Sequence, residues 1–482
     1  MKFVRTYQTI KINVHGGILP TGKLEKILSV LSALHIDRLK FGLRQNIFIE
    51  FASIYLPLVE NKLMESEIDY QLNDQEYPNV MSSYPAQSIF PSCTWLSEGV
   101  FKDILDNLDY PPTLKINIAD SIQTLTPVFT GNINWIASEL HPHYWHLYIR
   151  FPKTNTIIKW KDMVYTNDLM RFSKTIEACL VQHKETPIDQ IEQVLIENLQ
   201  GEHWNQIVND EEIQWQVYSL PYYEGLNKYH DHYWLGIYRR DEWFNTDFLQ
   251  DLCKLCQDSH LGEICITPWK SIIVKNIADA DRMKWNHLLN YHHINSRHGL
   301  NELNFQIEDN NSKSLRLKQF IVDNLNEDDV RTQGICFGIK SKPKTEVFSN
   351  ILIRKRHLIN LGKIKALPVY DILLAKDFNP HERTGLVYRN SLFSYLLPGE
   401  LSGCIREYYR NRIKMVEADK LPEAEENRNS SAFFPSDEEV YQCQDCKTIV
   451  EYETDLLGGS LECPVCGAGE DKIKLVKKSG LF

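Results

Sequence analysis

The sequence predicts an α+β protein with a long duplicated body, an acidic tether and a small metal-binding domain at the C-terminal end. Three observations lead there. A strand–helix–hairpin pattern near residue 10 returns near residue 235. Apolar spacing switches along the body between two, the period of strands, and three or four, the period of helices. Two Cys-x-x-Cys pairs, Cys443/Cys446 and Cys463/Cys466, stand near the end of the chain.

The first pattern begins with Ile10, Ile12 and Val14, which alternate as a strand over residues 7–15 and run into Gly16-Gly17. Leu24, Ile27, Leu28, Leu31 and Leu34 then recur at helical spacing, and Arg38 to Phe51 reads as a hairpin. Downstream, Trp234 to Tyr238 gives a strand, Phe244 to Cys256 a helix and Glu263 to Val274 a second hairpin. Laying Arg44-Gln45-Asn46-Ile47 beside Trp269-Lys270-Ser271-Ile272 suggests a long internal repeat. Tyr144 to Phe151 alternates as a core strand. Residues 416–438 are polar and acidic, the composition of a tether, and a tethered domain stays concentrated near its docking face.

At 482 residues the chain can bury several cores, and 43% hydrophobic with 11% aromatic content marks it as globular. A net charge of -11 argues against a nucleic-acid partner, which calls for a basic surface. Outside the tail, Cys93, Cys179, Cys253, Cys256, Cys265, Cys336 and Cys404 are scattered and odd in number, as reduced cytoplasmic thiols would be. Residues 1–6 hold no apolar run of signal length, and no stretch reaches the length of a membrane span. A cytoplasmic protein without a membrane partner is expected.

Four thiolates from Cys443, Cys446, Cys463 and Cys466 can close a tetrahedron around one ion, which suits zinc or iron. Gly467, lacking a Cβ, lets backbone N–H groups turn toward the Cys466 sulfur. The spacing alone fits a zinc ribbon. Tyr441, the run Thr448 to Tyr452 and Cys463-Pro464-Val465-Cys466-Gly467-Ala468 resemble the rubredoxin family, which implies one iron ion (Fe2+/Fe3+) on four Cys passing single electrons. Lys447 stands where that family has Gly, and the loop from Glu453 to Glu462 is shorter than in rubredoxins.

The body shows a second resemblance. Gly16-Gly17 with Arg44-Gln45-Asn46-Ile47, and Thr267-Pro268-Trp269-Lys270-Ser271-Ile272-Ile273, look like the paired ferredoxin-like halves of assimilatory sulfite and nitrite reductases. Asn79-Val80-Met81-Ser82, Lys115 to Asp120 and Asn132 to Ala137 resemble the first catalytic-fold half. The resemblance implies ferredoxin-like halves at 1–75 and 213–300 and reductase-fold halves at 76–212 and 301–415 (the latter degenerate); the acidic linker at 416–438 and the metal domain at 439–482 follow them. It also implies sirohaem coupled to a four-iron cluster. That cluster takes four Cys, whereas residues from 276 to the tether hold only Cys336 and Cys404, so no [4Fe-4S] cluster is expected. Asn13 and Cys265 replace basic residues of the family, which argues against retained sirohaem chemistry.

Lys40, Arg44 and Lys270, with Lys275, fall on the hairpins that line the family's cofactor cleft and are the candidate anion- or tetrapyrrole-binding residues. Arg331, Lys340, Lys342, Lys344, Arg354, Lys355 and Arg356 add charge that would either steer an anion or solvate a strand face. Cys253 and Cys256 sit in a helical apolar pattern with Phe248, Leu249, Leu252 and Leu255 and read as core. Histidines bunch at His141, His143 and His146, at His230 and His232, and at His292, His293 and His298, without a ligand signature. No phosphate loop, nucleophile elbow or dinucleotide fingerprint is present, and no catalytic residue is assigned. The expectation is an electron-transfer protein serving a reductase donor and an acceptor in nitrate/nitrite or sulfite assimilation. Its alternatives are a tetrapyrrole-binding oxyanion reductase and a non-redox zinc-ribbon scaffold.

Overall fold

The computed structural model describes residues 7–72, 77–152, 156–183, 188–199, 203–213, 215, 218–342, 347–361, 364–381, 385–418, 439–444, 449–450 and 469–477. The chain forms two compact units. The first holds Met1–Phe151, Ile157–Val217 and Pro221–Gly299; the second holds Pro152–Thr156, Tyr218–Leu220 and Leu300–Phe482.

The first unit begins with β1 (Tyr7–Ile12), β2 (Ile18–Pro20), α1 (Thr21–Ala33), β3 (Arg38–Phe41), β4 (Ile47–Ala52), α2 (Leu56–Glu65) and β5 (Gln71–Leu72). Leu24, Ile27, Leu28 and Leu31 all lie on the buried side of α1, as their spacing requires. Next come β6 (Met81–Ser82), α3 (Glu98–Asp106), β7 (Ile116–Ala119), β8 (Ile133–Ala137), β9 (Tyr144–Arg150), β10 (Ile157–Lys159), β11 (Asp162–Tyr165), α4 (Leu169–Gln182), α5 (Ile188–Leu199) and β12 (Gln206–Val208). They build a sheet ordered β12-β11-β9-β8-β7-β6, with β10 on β9. β6, β7 and β8 run parallel, and β7 and β8 are buried at every position, as parallel strands covered on both faces are.

The unit ends with β13 (Gly225–Tyr229), β14 (His232–Ile237), β15 (Phe244–Asn245), α6 (Thr246–Asp258), β16 (Glu263–Ile266), β17 (Ile272–Ala278) and α7 (Arg282–Tyr291). The order β1, β2, α1, β3, β4, α2 is matched element for element by β14, β15, α6, β16, β17, α7. Phe244 and Asn245, expected to open a helix, instead form a strand that crosses to the other half. There Phe244 pairs with Leu39 and Asn245 with Arg38. Ile18, Leu19 and Pro20 cross the opposite way, onto Cys265, Ile264 and Glu263. The two sheets therefore read β15-β3-β4-β1-β5 and β13-β14-β17-β16-β2, each closed by a strand from its twin. One core serves both, joining Ile10, Leu28, Leu31 and Ile49 to Leu235, Phe248, Leu252 and Trp285.

The second unit contains α8 (Leu300–Leu303), β18 (Phe305–Ile307), α9 (Ser312–Glu327), β19 (Phe337–Lys340), β20 (Ile351–Leu361), β21 (Ile364–Ala375), β22 (Gly385–Leu392) and α10 (Leu397–Ala418). Its sheet runs β18-β19-β20-β21-β22. Two parallel pairs and then an antiparallel one repeat the β6-β7-β8-β9 plan, so the duplication extends here. Phe337, Ile339, Ile353, Leu401 and Ile405 fill the core. α10 continues to Ala418, so the tether expected from 416 begins as helix; residues 419–438 lie outside the described residues. The tail contributes β23 (Glu439–Cys443), β24 (Ile449–Val450) and β25 (Ile473–Lys477), ordered β24-β23-β25, with β24 lying against β22. Among the described residues no helix is long and apolar enough to cross a membrane.

Candidate functional site

The turns that the sequence singles out converge in the first unit. Gly16 and Gly17 both adopt positive φ, at 64° and 74°. A Cβ on Gly17 would stand 2.5 Å from the Ile266 carbonyl oxygen and 2.7 Å from Gln45 Nε2, so this close approach admits only glycine. Gly16 N donates to Val80 O, and Ser82 Oγ donates to Gly16 O. Asn79 Nδ2 points at the carbonyls of Val14, Arg44 and Gln45, at 2.6, 2.8 and 3.1 Å.

Arg44 sits inside this polar knot, buried. Its Nε and Nη2 donate to Asn79 O at 3.0 and 2.8 Å, and Nη2 also reaches Ile116 O at 2.8 Å. The guanidinium thus ties the turn to β7 through backbone carbonyls. Gln45 (φ 58°) exchanges hydrogen bonds with the backbone of Ser82.

Lys270 (φ 56°) occupies the equivalent turn of the second half. It is buried and donates to Glu242 Oε1 at 2.8 Å. Lys40 also faces Glu242, lies 4.0 Å from Glu50 Oε2 and places its Nζ 3.9 Å from the Trp243 ring centroid. Arg38 stacks on the same indole at 4.3 Å. Burial pulls the Lys40 ammonium below the ordinary lysine value, against the attraction of Glu50 and Glu242. The structure therefore brings Lys40 and Lys270 to one carboxylate, while Arg44 faces Asn79 and Ile116. Sequence reasoning missed Glu242 and Trp243. The repeat itself carried the signal, because the register of the two exchanged strands puts Glu242 where the first half has Gly17, and Trp243 where it has Ile18.

A second cluster surrounds Tyr84. Its hydroxyl hydrogen-bonds to the Glu263 carboxylate and, at 3.3 Å, to Glu98 Oε2. Lys275 bonds to Glu98 and lies 4.2 Å from the Tyr84 ring centroid. Burial raises the Tyr84 phenol far above its ordinary value. Lys275 thus answers a carboxylate and an aromatic face.

Of the late cations, Lys340 and Arg354 are buried, not solvated, and pair in register across β19 and β20. Arg331 and Lys342 are exposed, Lys355 and Arg356 are half-buried, and Lys344 lies outside the described residues. Arg356 binds the Asp371 carboxylate through two nitrogens. Four of the bunched histidines each answer a separate acid: His141 with Asp210 at 3.1 Å, His146 with Glu211 at 3.4 Å, His292 with Asp251 at 2.8 Å and His298 with Glu224 at 2.7 Å. Cys253 and Cys256 are buried in α6, where burial pushes both thiols up to about 12.

Of the four tail cysteines, Cys443 lies among the described residues; Cys446, Cys463 and Cys466 lie outside them. Cys443 is fully buried at the end of β23 and is not in a disulfide. Its position is fixed by pairing with Ile473, and Gln444 N donates to Lys472 O at 2.7 Å. No group of three or more His, Cys, Asp or Glu suited to a metal occurs among the described residues.

No family model and no curated relative matches this chain. Among solved structures it is similar to that of the Mycobacterium tuberculosis NirA protein, with TM-score 0.61 and 12% identity, covering 88% of this chain and 82% of that one. At that identity the likeness is one of fold, and the body has a nitrite/sulfite reductase-like fold.

Proposed function

We propose that this chain, built on a nitrite/sulfite reductase-like body, is an electron-transfer protein whose tail holds one iron ion on Cys443, Cys446, Cys463 and Cys466. The observation that carries the reading is the paired Cys-x-x-Cys spacing, supported by the buried Cys443 thiol at the end of a strand held on both sides. Burial of that sulfur suits an inward-facing ligand and would limit water access to a bound ion. An iron ion bound to four thiolates would supply one-electron chemistry with little change of ligand geometry. Among the described residues the chain holds one of these thiolates in place: β25 and β24 flank β23, and the hydrogen bond from Gln444 N to Lys472 O fixes the chain just beyond Cys443.

The engagement of the body's cations supports a docking platform over an anion-reducing centre. Arg44 is committed to backbone carbonyls and Lys270 to Glu242. Redox partner proteins would deliver and remove the electron, in nitrate/nitrite or sulfite assimilation. Metal analysis and a visible spectrum of the freshly purified full chain test the reading. One iron per chain, with a thiolate-to-iron absorption that bleaches on reduction, is expected. Colourless protein with one zinc per chain would refute it, and a tetrapyrrole band would move the chemistry to the body.

A further inference from the structure

The internal repeat carries over into the second unit register by register. Ile133 pairs with Ile149 across β8 and β9, as Ile351 pairs with Leu374 across β20 and β21. Further back along β9 and β21, at the same spacing, Trp145 pairs with Val164 and Tyr370 with Leu392. From there each chain runs through one short turn, Thr166–Asp168 or Ser394–Leu396, into a helix, α4 or α10.

The first sheet then goes one strand further. After α4 and α5 the chain returns as β12, where Gln206, Ile207 and Val208 pair with Val164, Met163 and Asp162. The equivalent residues of the second sheet are Leu392, Ser391 and Asn390. They lie on β22, whose outer edge has no hydrogen-bonded strand among the described residues. Asn390 and Ser391 are exposed. Unpaired N–H and C=O groups along such an edge are a template for one more strand.

The segment that returns after α10 is the tail. β24 is the outer strand of its sheet β24-β23-β25, so it too has an open edge, and it lies against β22. Both strands belong to the second unit. Two open edges of one unit therefore adjoin.

We propose that the outer edge of β22 at Asn390–Leu392 is the seat of the small sheet, with β24 pairing there in the place that β12 takes in the first half. The two sheets then run on as one, β18-β19-β20-β21-β22-β24-β23-β25. Backbone hydrogen bonds supply the affinity, and the covalent connection keeps even a short pairing occupied. Gln442 pairs with Ile449, so Cys443 comes to stand two strand spacings from β22, ~10 Å. The seat depends on the backbone of β24 and needs no particular metal. Its redox meaning rests on the iron reading above: a seated centre meets its partners at the second unit instead of roaming on a tether.

Photocrosslinking of the full-length chain tests this. The variants are Asn390→p-benzoylphenylalanine and Ser391→p-benzoylphenylalanine, with the same replacement of Phe320, exposed on α9, as the comparison. After illumination and trypsin, the peptide carrying Ile449 and Val450 should be joined to the β22 probes within one chain. Its yield should exceed that from Phe320 roughly tenfold or more, because a seated segment is concentrated at its seat. Equal yields from the three positions would overturn the proposal. So would a link to a second copy, which would assign the edge to another chain. Metal analysis of the same sample keeps the two readings apart. Zinc with the crosslink intact would refute the iron centre and leave the seat standing, whereas iron without the crosslink would refute the seat alone.

Discussion

The sharpest test of the first unit is Lys270→Met. Met approximates the length of the Lys stem and keeps the same positive φ, so backbone strain cancels and the change isolates the ammonium. Lys270 and Glu242 side chains are only 6% and 10% exposed. Removing one partner of a buried pair costs about 3–5 kcal/mol because the remaining charge stays desolvated. Lys40 also faces Glu242, which places the expected value near the lower end. Hydrogen exchange of the β16–β17 hairpin amides reads this directly. At about 1.4 kcal/mol per tenfold, opening should become roughly 150- to 4,000-fold more frequent. Adding Glu242→Gln should restore stability to within about 1 kcal/mol of the parent, because no charge is then stranded. A change below about fivefold in Lys270→Met would refute the reasoning, since that is the behaviour of a solvent-screened surface pair.

Gly17→Ala should destabilise the exchanged strands by at least ~1–2 kcal/mol from the left-handed backbone alone, with more from the contact to Ile266 O. Faster exchange at Ile18 and Cys265 would report it, and an unchanged rate would count against the close approach. Asn79→Ala, which leaves three turn carbonyls without their shared amide, should cost about 1–3 kcal/mol in urea unfolding. His381 is buried among Tyr218 and Phe348, and burial lowers its pKa to about 4. As pH falls below the ordinary histidine value of about 6.5, the unfolded chain takes up a proton that the folded chain refuses, so the second unit should lose stability from there down to about pH 4. The His381 ring signals in NMR should stay constant above pH 5; a midpoint near 6.5 would contradict its burial. Cys443→Ser should lower the metal content of the purified chain several-fold; full retention would remove Cys443 from the ligand set.

Local patterns in the sequence were sufficient for the individual elements. Leu24 to Leu31 announced α1 and its buried face, and the alternation through Trp145, Leu147 and Ile149 announced β9. The repeat near residue 235 was legible because Trp269-Lys270-Ser271 answers Arg44-Gln45-Asn46. The strand exchange was not legible. Phe244-Asn245 and Ile18-Leu19-Pro20 are too short for a period, and their partners are more than two hundred residues away. The cations posed a similar problem. Nothing local says that Arg44 ends on the carbonyls of Asn79 and Ile116, or that Lys340 is buried while Lys342 is not. The histidines became readable only once Glu211, Asp210, Asp251 and Glu224 were seen opposite them.

The reciprocal crossing of β2 and β15 has a consequence for the ancestry of the body. A lone ancestral half would have presented an unfilled sheet border and a donor strand that fitted only another molecule. Such a chain would fold as a self-swapped pair, and joining two copies in one polypeptide would make that partnership permanent. The two copies now differ at the crossing, where Gln45 stands against Gly17 in one and Lys270 against Glu242 in the other, yet neither can be dispensed with.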